Sequence, residues 1–205
     1  MGTRNLTAVK IDGQYKVAQY GQWDGYPEGQ GMTCLHFLRE KMDAEQFKQS
    51  LRKATFIDPK DLNTLWKEYG ADDSGMVSLN DMDRMKRDHP EFSRDTGAEI
   101  LELVQNHPEG MQLQDELEFA ADGLFCEWAW VIDFDAGTFE AFTGYNRTKP
   151  LTPEDRFYFL RDKEDDGYHG VTIVAKWSLD SLPSDEDFIA AFKTDDEETE
   201  EVSET

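Results

Sequence analysis

The chain is poor in cysteine, in basic residues and in long apolar runs. Its 205 residues include two cysteines, Cys34 and Cys126, without a CxxC pair, which fits a reducing compartment and two small core side chains. No apolar run approaches the roughly 18 residues of a membrane-spanning helix. The N-terminal residues also lack the apolar stretch of a secretory signal. We therefore expect a cytoplasmic protein without membrane contact.

Basic residues are outnumbered by acidic ones, 21 against 44, which gives a formal net charge of −23. Direct binding of nucleic acid is disfavoured, because a phosphate backbone requires a basic footprint. The acidity is concentrated near the C-terminus, so we predict a single domain over residues 1–192 followed by a disordered acidic tail, 193–205. The acidic surface has two interpretations: it keeps the protein in solution, or it mimics nucleic acid and inhibits a basic protein.

The order of the predicted elements indicates an α+β fold. Two β-rich runs flank Asp12-Gly13, a dipeptide typical of tight hairpin turns. A helical segment covers about residues 32–107, with Asp43 and Asp58 as helix caps. Later strands are predicted in "FCEWAWVIDF", "TFEAFTG", "RFYFL" and "GVTIVAKW", before a short helix capped by Ser184. The period of two in the first of these strands places Glu127 and Asp133 on one face and an apolar set on the other: Cys126, Trp128, Trp130, Ile132 and Phe134. We expect an antiparallel sheet that joins the N-terminal hairpin to the C-terminal strands, with a central helical segment.

The stretch "QYGQWDGYPEGQG" combines glycines, aromatic residues and few charges just before the first predicted helix. Free amides at a helix start favour an anion, and aromatic rings suit stacking on a flat molecule. The sequence therefore predicts a site for a small anionic, nucleotide-like ligand. Its residues are Arg4, Tyr20, Trp23, Tyr26, Gly29, Gln30 and Gly31. The alternative is a glycine-rich connection that packed aromatics hold in place.

A second motif, "GADDSGMVSLND", has the glycine spacing of an EF-hand loop. Calcium requires an acid at the first position, where this chain has Gly70, so Asp72, Ser74 and Asp81 form only part of a metal site. The alternative is a capped helix–turn–helix, and we expect no metal or other cofactor.

Nucleophilic catalysis has little support in the sequence. Cys34 and His36 are two residues apart on a predicted helix, a spacing at which side chains point apart. No catalytic residue is assigned, and a hydrolase acting on a nucleotide or an amide remains the enzymatic alternative.

The opening "TRNLTAVKIDGQYKVAQYGQWDGYPEGQG", together with "GADDSG", "RDTGAEILELV" and "EWAWVIDFDAGTFEAFTG", resembles a widespread family of uncharacterised proteins from tailed phages, bacteria and fungi. The resemblance extends to about Trp177. No activity is established for that family. The resemblance implies a phage protein in the host cytoplasm that acts in counter-defence or host takeover. We therefore predict a non-catalytic binding protein that binds a host protein or sequesters a small anionic ligand.

Overall fold

A computed structural model describes residues 2–164 and 167–193 of the chain. The strands are β1 Asn5–Ile11, β2 Gln14–Gly21, β3 Thr55–Phe56, β4 Gln112–Leu113, β5 Trp128–Asp133, β6 Thr138–Thr143 and β7 Thr172–Ser178. The α-helices are α1 Met32–His36, α2 Ala44–Lys53, α3 Pro59–Glu68, α4 Leu79–Asp88, α5 Ile100–Gln105 and α6 Asp185–Ala190. Short 3-10 helices span Pro90–Phe92, Gly97–Glu99, Leu117–Ala121 and Tyr158–Lys163.

The predicted α+β fold is confirmed. Five strands form one sheet in the order β2–β1–β5–β6–β7, and β3 pairs with β4 separately. The turn of the β1–β2 hairpin has positive φ at Asp12 and Gly13, 52° and 76°, as the dipeptide predicts. The pairing of β1 with β5 is parallel, whereas the other three pairings of the large sheet are antiparallel. The sheet is therefore mixed, and the parallel pair β1–β5 joins the N-terminal hairpin to the later strands.

Both faces of the strands β1, β5 and β6 are buried, whereas the edge strand β7 is largely exposed. On one face Trp130 and Ile132 of β5 lie in a core that also contains residues of α1, α2, α5 and α6. On the other face Val131 belongs to a second core, with Leu6 of β1 and residues of the 3-10 segments 117–121 and 158–163. The apolar face predicted for the tryptophan-rich strand is confirmed for Trp130 and Ile132. The prediction is wrong for Cys126, which precedes β5 and lies in the second core.

The predicted central helices form with the predicted caps. The Asp43 side chain accepts from two amides at the start of α2, and Asp58 accepts from one at the start of α3. Gly70 ends α3 with a φ of 91°, in the left-handed region that glycine favours. In α3 no residue is buried, and in α4 only Met85 is. These two helices therefore contribute little to the main core.

One predicted strand is wrong. Residues 156–160, "RFYFL", were expected to be extended, but this region contributes to the 3-10 helix Tyr158–Lys163. Phe157 and Leu160 are buried while Phe159 between them is exposed, which is the spacing of a helical turn. A short apolar run by itself does not distinguish a strand from a helical turn.

Of the predicted acidic tail, residues 194–205 lie outside the described residues. Within the described part of the chain, every helix is too short or too polar to cross a membrane.

Candidate functional site

The predicted ligand segment lies between β2 and α1, and two of its glycines fix it to the core. Pro27–Gly31 forms a π-helical turn that leads directly into α1. The indole N–H of Trp130 donates to the carbonyl oxygen of Gly25 at 2.9 Å. A Cβ atom on Gly31 would lie 2.7 Å from the Trp130 ring, so only glycine permits this close approach. These two glycines therefore serve packing.

The backbone amides that were expected to face an anion are used inside the segment. Those of Gly29 and Gly31 donate to the carbonyl oxygen of Tyr26 at 3.1 and 3.4 Å. The amide of Gln30 donates to the carbonyl oxygen of Asp24 at 2.8 Å. The π-helical turn begins at Pro27, before these residues, so each of the three amides has an acceptor. The expectation of free amides is wrong, while binding of a small anion by these residues stays a prediction.

Two aromatic rings of the segment face solvent and are held by side-chain hydrogen bonds. Trp23 is 45% exposed and Tyr26 is 39% exposed. The Trp23 indole N–H donates to Asp95 Oδ1 at 2.9 Å, and the Tyr26 hydroxyl donates to Asp24 Oδ1 at 3.2 Å. Gln30 Nε2 also donates to the carbonyl oxygen of Trp23 at 3.3 Å. Residues 22–30, which present these rings, are called the aromatic loop below.

The remaining side chains of the predicted site, those of Tyr20 and Arg4, pack against other residues. The Tyr20 ring meets Phe119 edge-on, with 5.0 Å between centroids, and its hydroxyl is 2.7 Å from Gln22 Oε1. The Arg4 guanidinium lies 4.5 Å above the Phe125 ring. Each of the two is therefore already held by an aromatic neighbour.

The backbone of the aromatic loop is fixed from several sides. Asp24 has a φ of 54°, which is uncommon outside glycine and costs on the order of 1 kcal/mol or more. The amide of Gln22 donates to the carbonyl oxygen of Arg94 at 2.8 Å. Gln30 Oε1 accepts from the amide of Ala98 at 2.7 Å. These contacts from outside the loop hold the strained turn in one conformation.

The surface around the two rings carries acidic groups. The charge of Asp24 raises the pKa of Tyr26. Asp95 is bonded to Lys86 Nζ at 2.8 Å, and this hydrogen bond lowers the pKa of Asp95. Among the ion pairs within the described ranges, only Asp95 of these acids has a basic partner. Asp24 and the exposed Glu28 therefore add negative charge without an ion-pair partner in the described ranges, while the charge of Arg94 also lowers the pKa of Asp95.

A second group of charged residues, which the sequence did not single out, lies at the opposite end of the hairpin. Arg156 Nε is 2.6 Å from Glu140 Oε2, and Arg156 Nη1 is 2.7 Å from Asp133 Oδ2. Both carboxylates are only 2% exposed. Lys10 and Lys176 complete the group, at 3.9 Å from Asp133 and 3.2 Å from Glu140. These five residues are called the ion cluster.

Burial by itself raises the pKa of both carboxyl groups of the ion cluster. In Asp133 the amide of Ala136 and the guanidinium of Arg156 outweigh burial, and the pKa falls below its usual range. In Glu140 the hydrogen bond from Arg156 is the largest of the opposing effects, and the pKa again falls. Both acids are therefore ionised near neutral pH. The sequence contains a signal for Asp133, because the alternation of β5 places it on the face opposite Trp130.

Neither cysteine is placed for nucleophilic chemistry. Both thiols are completely buried, which raises the pKa of Cys34 to about 12. His36 Nε2 lies 3.0 Å from Asp185 Oδ2. A thiolate is the reactive form of cysteine, so a thiol with this pKa is inert at neutral pH.

The EF-hand-like loop uses its acids to shape the turn. Asp72 Oδ1 accepts from the amides of Ser74 and Met76 at 2.8 and 2.9 Å. Asp81 Oδ2 accepts from the hydroxyl of Ser78 at 2.6 Å. In residues 2–164 and 167–193, no group of three or more His, Cys, Asp or Glu side chains is arranged to hold a metal ion. The capped helix–turn–helix explains these contacts.

Comparisons with protein-family models, with curated proteins and with solved structures found no match. The family resemblance inferred from the sequence therefore stays a prediction.

Proposed function

We propose that this protein is a non-catalytic binding protein, and that its aromatic loop recognises a basic segment of a partner protein. The observation that supports this most is the pair of exposed rings, Trp23 and Tyr26, each hydrogen-bonded to a carboxylate. Tryptophan and tyrosine are enriched among the residues that dominate binding energy at protein interfaces.

The fixed conformation of the loop favours tight binding. Ordering a flexible side chain on association costs about 0.5–1.5 kcal/mol. The rings of Trp23 and Tyr26 are already oriented by Asp95 and Asp24, so much of this cost falls on folding rather than on binding. The strained φ of Asp24 is consistent with such a preformed surface.

The charge of the loop indicates the chemistry of the partner. Asp24 and Glu28 favour lysine or arginine on the opposing surface, and a cation also binds well over the face of Trp23. The net charge of −23 attracts a basic protein over a longer range. In the phage setting that the resemblance implies, the partner is a host protein, and the role is host takeover or counter-defence.

The test is a pulldown from the natural host with the full chain as bait, followed by affinity measurement with the protein recovered. We expect the double variant Trp23→Ala/Tyr26→Ala to lose about 1,000-fold in affinity, because two interface aromatics at about 2 kcal/mol each sum to about 4 kcal/mol. The matched control is Phe159→Ala, which removes a ring that is 52% exposed at the opposite end of the hairpin. This control should bind like the wild type.

Salt distinguishes the proposal from general attraction to an acidic protein. Raising NaCl from about 0.05 to 0.5 M should slow association, yet leave binding that still depends on Trp23. If the double variant binds as well as the wild type, the proposal fails. In that case, if high salt abolishes the binding of the double variant, nucleic-acid mimicry is favoured. Turnover of a nucleotide or an amide would instead favour the hydrolase alternative.

A further inference from the structure

The ion cluster forms the floor of a cavity of about 530 Å³ at the turn end of the β1–β2 hairpin. Lys10 and Tyr15 line it from the two strands of the hairpin, and Arg156 lines it from the segment that covers this face. The aromatic loop follows the opposite end of the same hairpin, where Gly21 pairs with Asn5. Asn5 and Lys10 are five residues apart along β1, so at about 3.3 Å per strand residue the two sites are on the order of 17 Å apart. The cavity is thus separate from the aromatic loop.

The two buried carboxylates of the cavity floor already have their donors. Asp133 Oδ1 accepts from the amide of Ala136 at 3.0 Å, while Oδ2 is 2.7 Å from Arg156 Nη1. Glu140 Oε1 accepts from the hydroxyl of Thr138 at 2.8 Å, and Oε2 accepts from Arg156 Nε at 2.6 Å. Neither acid therefore needs a cation from a ligand.

Three donors near Asp133 Oδ2 have hydrogen-bonding capacity left. The Tyr15 hydroxyl accepts from Arg156 Nη1 at 3.4 Å, and its own proton has no acceptor among the described residues. Lys10 Nζ is 3.9 Å from Asp133 Oδ2, which is longer than a hydrogen bond. Within the same described ranges, Nη2 of Arg156 also has no acceptor. The cavity therefore offers convergent N–H and O–H donors.

One wall of the cavity is apolar. Phe142, Phe159 and Ile173 line it, and the last two are exposed large hydrophobic residues. The rings of Tyr15 and Phe159 lie 6.4 Å apart between centroids. Aromatic and aliphatic groups beside a few fixed polar groups are typical of small-molecule sites.

We propose that this cavity binds a small molecule that has an oxyanion, carboxylate or phosphate, on a flat apolar body. The oxyanion accepts from Lys10, Tyr15 and Arg156, because charge-assisted hydrogen bonds are the strongest available there. The flat body packs on Phe159 and Ile173. A negative rim group opposes this binding: Glu154 is exposed, whereas Asp155 Oδ2 is held by the Thr152 amide at 2.7 Å.

The experiment titrates the isotope-labelled full chain with sodium benzoate and, in a separate arm, with inorganic phosphate, and follows backbone amides by NMR. Sodium chloride at matched ionic strength is the reference. We expect saturable shifts around residues 10–15 and 154–156 with at least one of the two anions, and the arm that responds identifies carboxylate or phosphate. Benzoate should bind more tightly than acetate if the apolar wall takes part.

Three variants test the donors and the opposing acid. Lys10→Gln and Tyr15→Phe should each weaken binding about tenfold, the effect of losing one hydrogen bond to a charged group. Glu154→Gln should strengthen it at low salt. Lys60→Gln, which removes an exposed lysine of α3 outside the cavity lining, is the matched control and should bind like the wild type.

Two results would overturn the assignment. One is the absence of saturable shifts with both anions beyond those of chloride. The other is wild-type affinity in both Lys10→Gln and Tyr15→Phe, measured on variants whose thermal melting shows that they are folded. Either result leaves the aromatic loop and its protein partner untouched, since that site shares no residue with the cavity.

Discussion

Replacing Arg156 with methionine provides a sharp test of the ion cluster. Methionine keeps much of the volume and the apolar stem of arginine but removes the charge between Asp133 and Glu140. Both carboxylates are 2% exposed, so they would remain largely shielded from water without their strongest partner. Lys10 lies 3.9 Å from Asp133 and cannot replace a contact of 2.7 Å.

The expected loss of stability is large for a single substitution. Breaking a buried ion pair by removing one partner costs about 3–5 kcal/mol. We expect the lower end, about 3 kcal/mol, because the cavity above Arg156 lets water reach part of the cluster. Since domains of this kind unfold with about 5–15 kcal/mol, such a loss is readily measured by urea denaturation.

The dependence on pH adds a second, independent readout. In the wild type the pKa values of Asp133 and Glu140 are lowered. Their contribution to stability is therefore present above the unfolded values near 4 and is lost as pH falls through the lower folded values. In Arg156→Met burial dominates, and the two carboxyls take up protons at a higher pH. The stability difference between wild type and variant should thus shrink as pH falls from about 6 to 3.

The matched control is Arg52→Met, which removes an ion pair of similar length, 2.8 Å, between exposed side chains. We expect no measurable change in its free energy of unfolding. A loss below about 1 kcal/mol for Arg156→Met at pH 7, or a difference that stays constant with pH, would refute this account of the cluster.

Three further predictions concern the core and a helix cap. Gly31→Val should destabilise the fold by about 2 kcal/mol and lower the Tm by about 4–8 °C in calorimetry, because its side chain meets Trp130; an unchanged Tm would contradict this contact. Cys34 and Cys126 should react with iodoacetamide at pH 8 only after denaturation, so rapid labelling of the native chain would show that they are accessible. Asp43→Ala should cost about 1 kcal/mol in urea denaturation through loss of the α2 cap, and a neutral effect would refute that role.

The predicted ligand segment illustrates the limit of local motifs. The sequence identified the segment, and the rings of Trp23 and Tyr26 are exposed in the structure. Gly31, one of the glycines that indicated free amides, instead permits contact with Trp130, a residue about 100 positions later in the chain. A glycine pattern shows where the backbone comes close to another group, but it does not show whether that group is a ligand or the core.

The ion cluster shows a similar limit for charged residues. Asp133 was placed on the correct face of β5 by the alternation of that strand, since a strand repeats every two residues. Its main partner, Arg156, lies in a segment that was predicted to be extended and is not part of a strand. This segment covers the sheet and brings Arg156 to the buried carboxylates of Asp133 and Glu140, which would otherwise be buried without their strongest partner.

The amino-acid sequence by itself determined the local elements: the Asp12-Gly13 turn, the caps at Asp43 and Asp58, and the two faces of the tryptophan-rich strand. These depend on interactions over a few residues, which a sequence pattern contains directly. The tertiary structure alone decided the parallel pairing of β1 with β5, the burial of the Gly31 backbone against Trp130 and the convergence of the ion cluster. Each of these joins residues that are distant in the chain, and their burial is settled only when the whole sheet and its covering layers pack together.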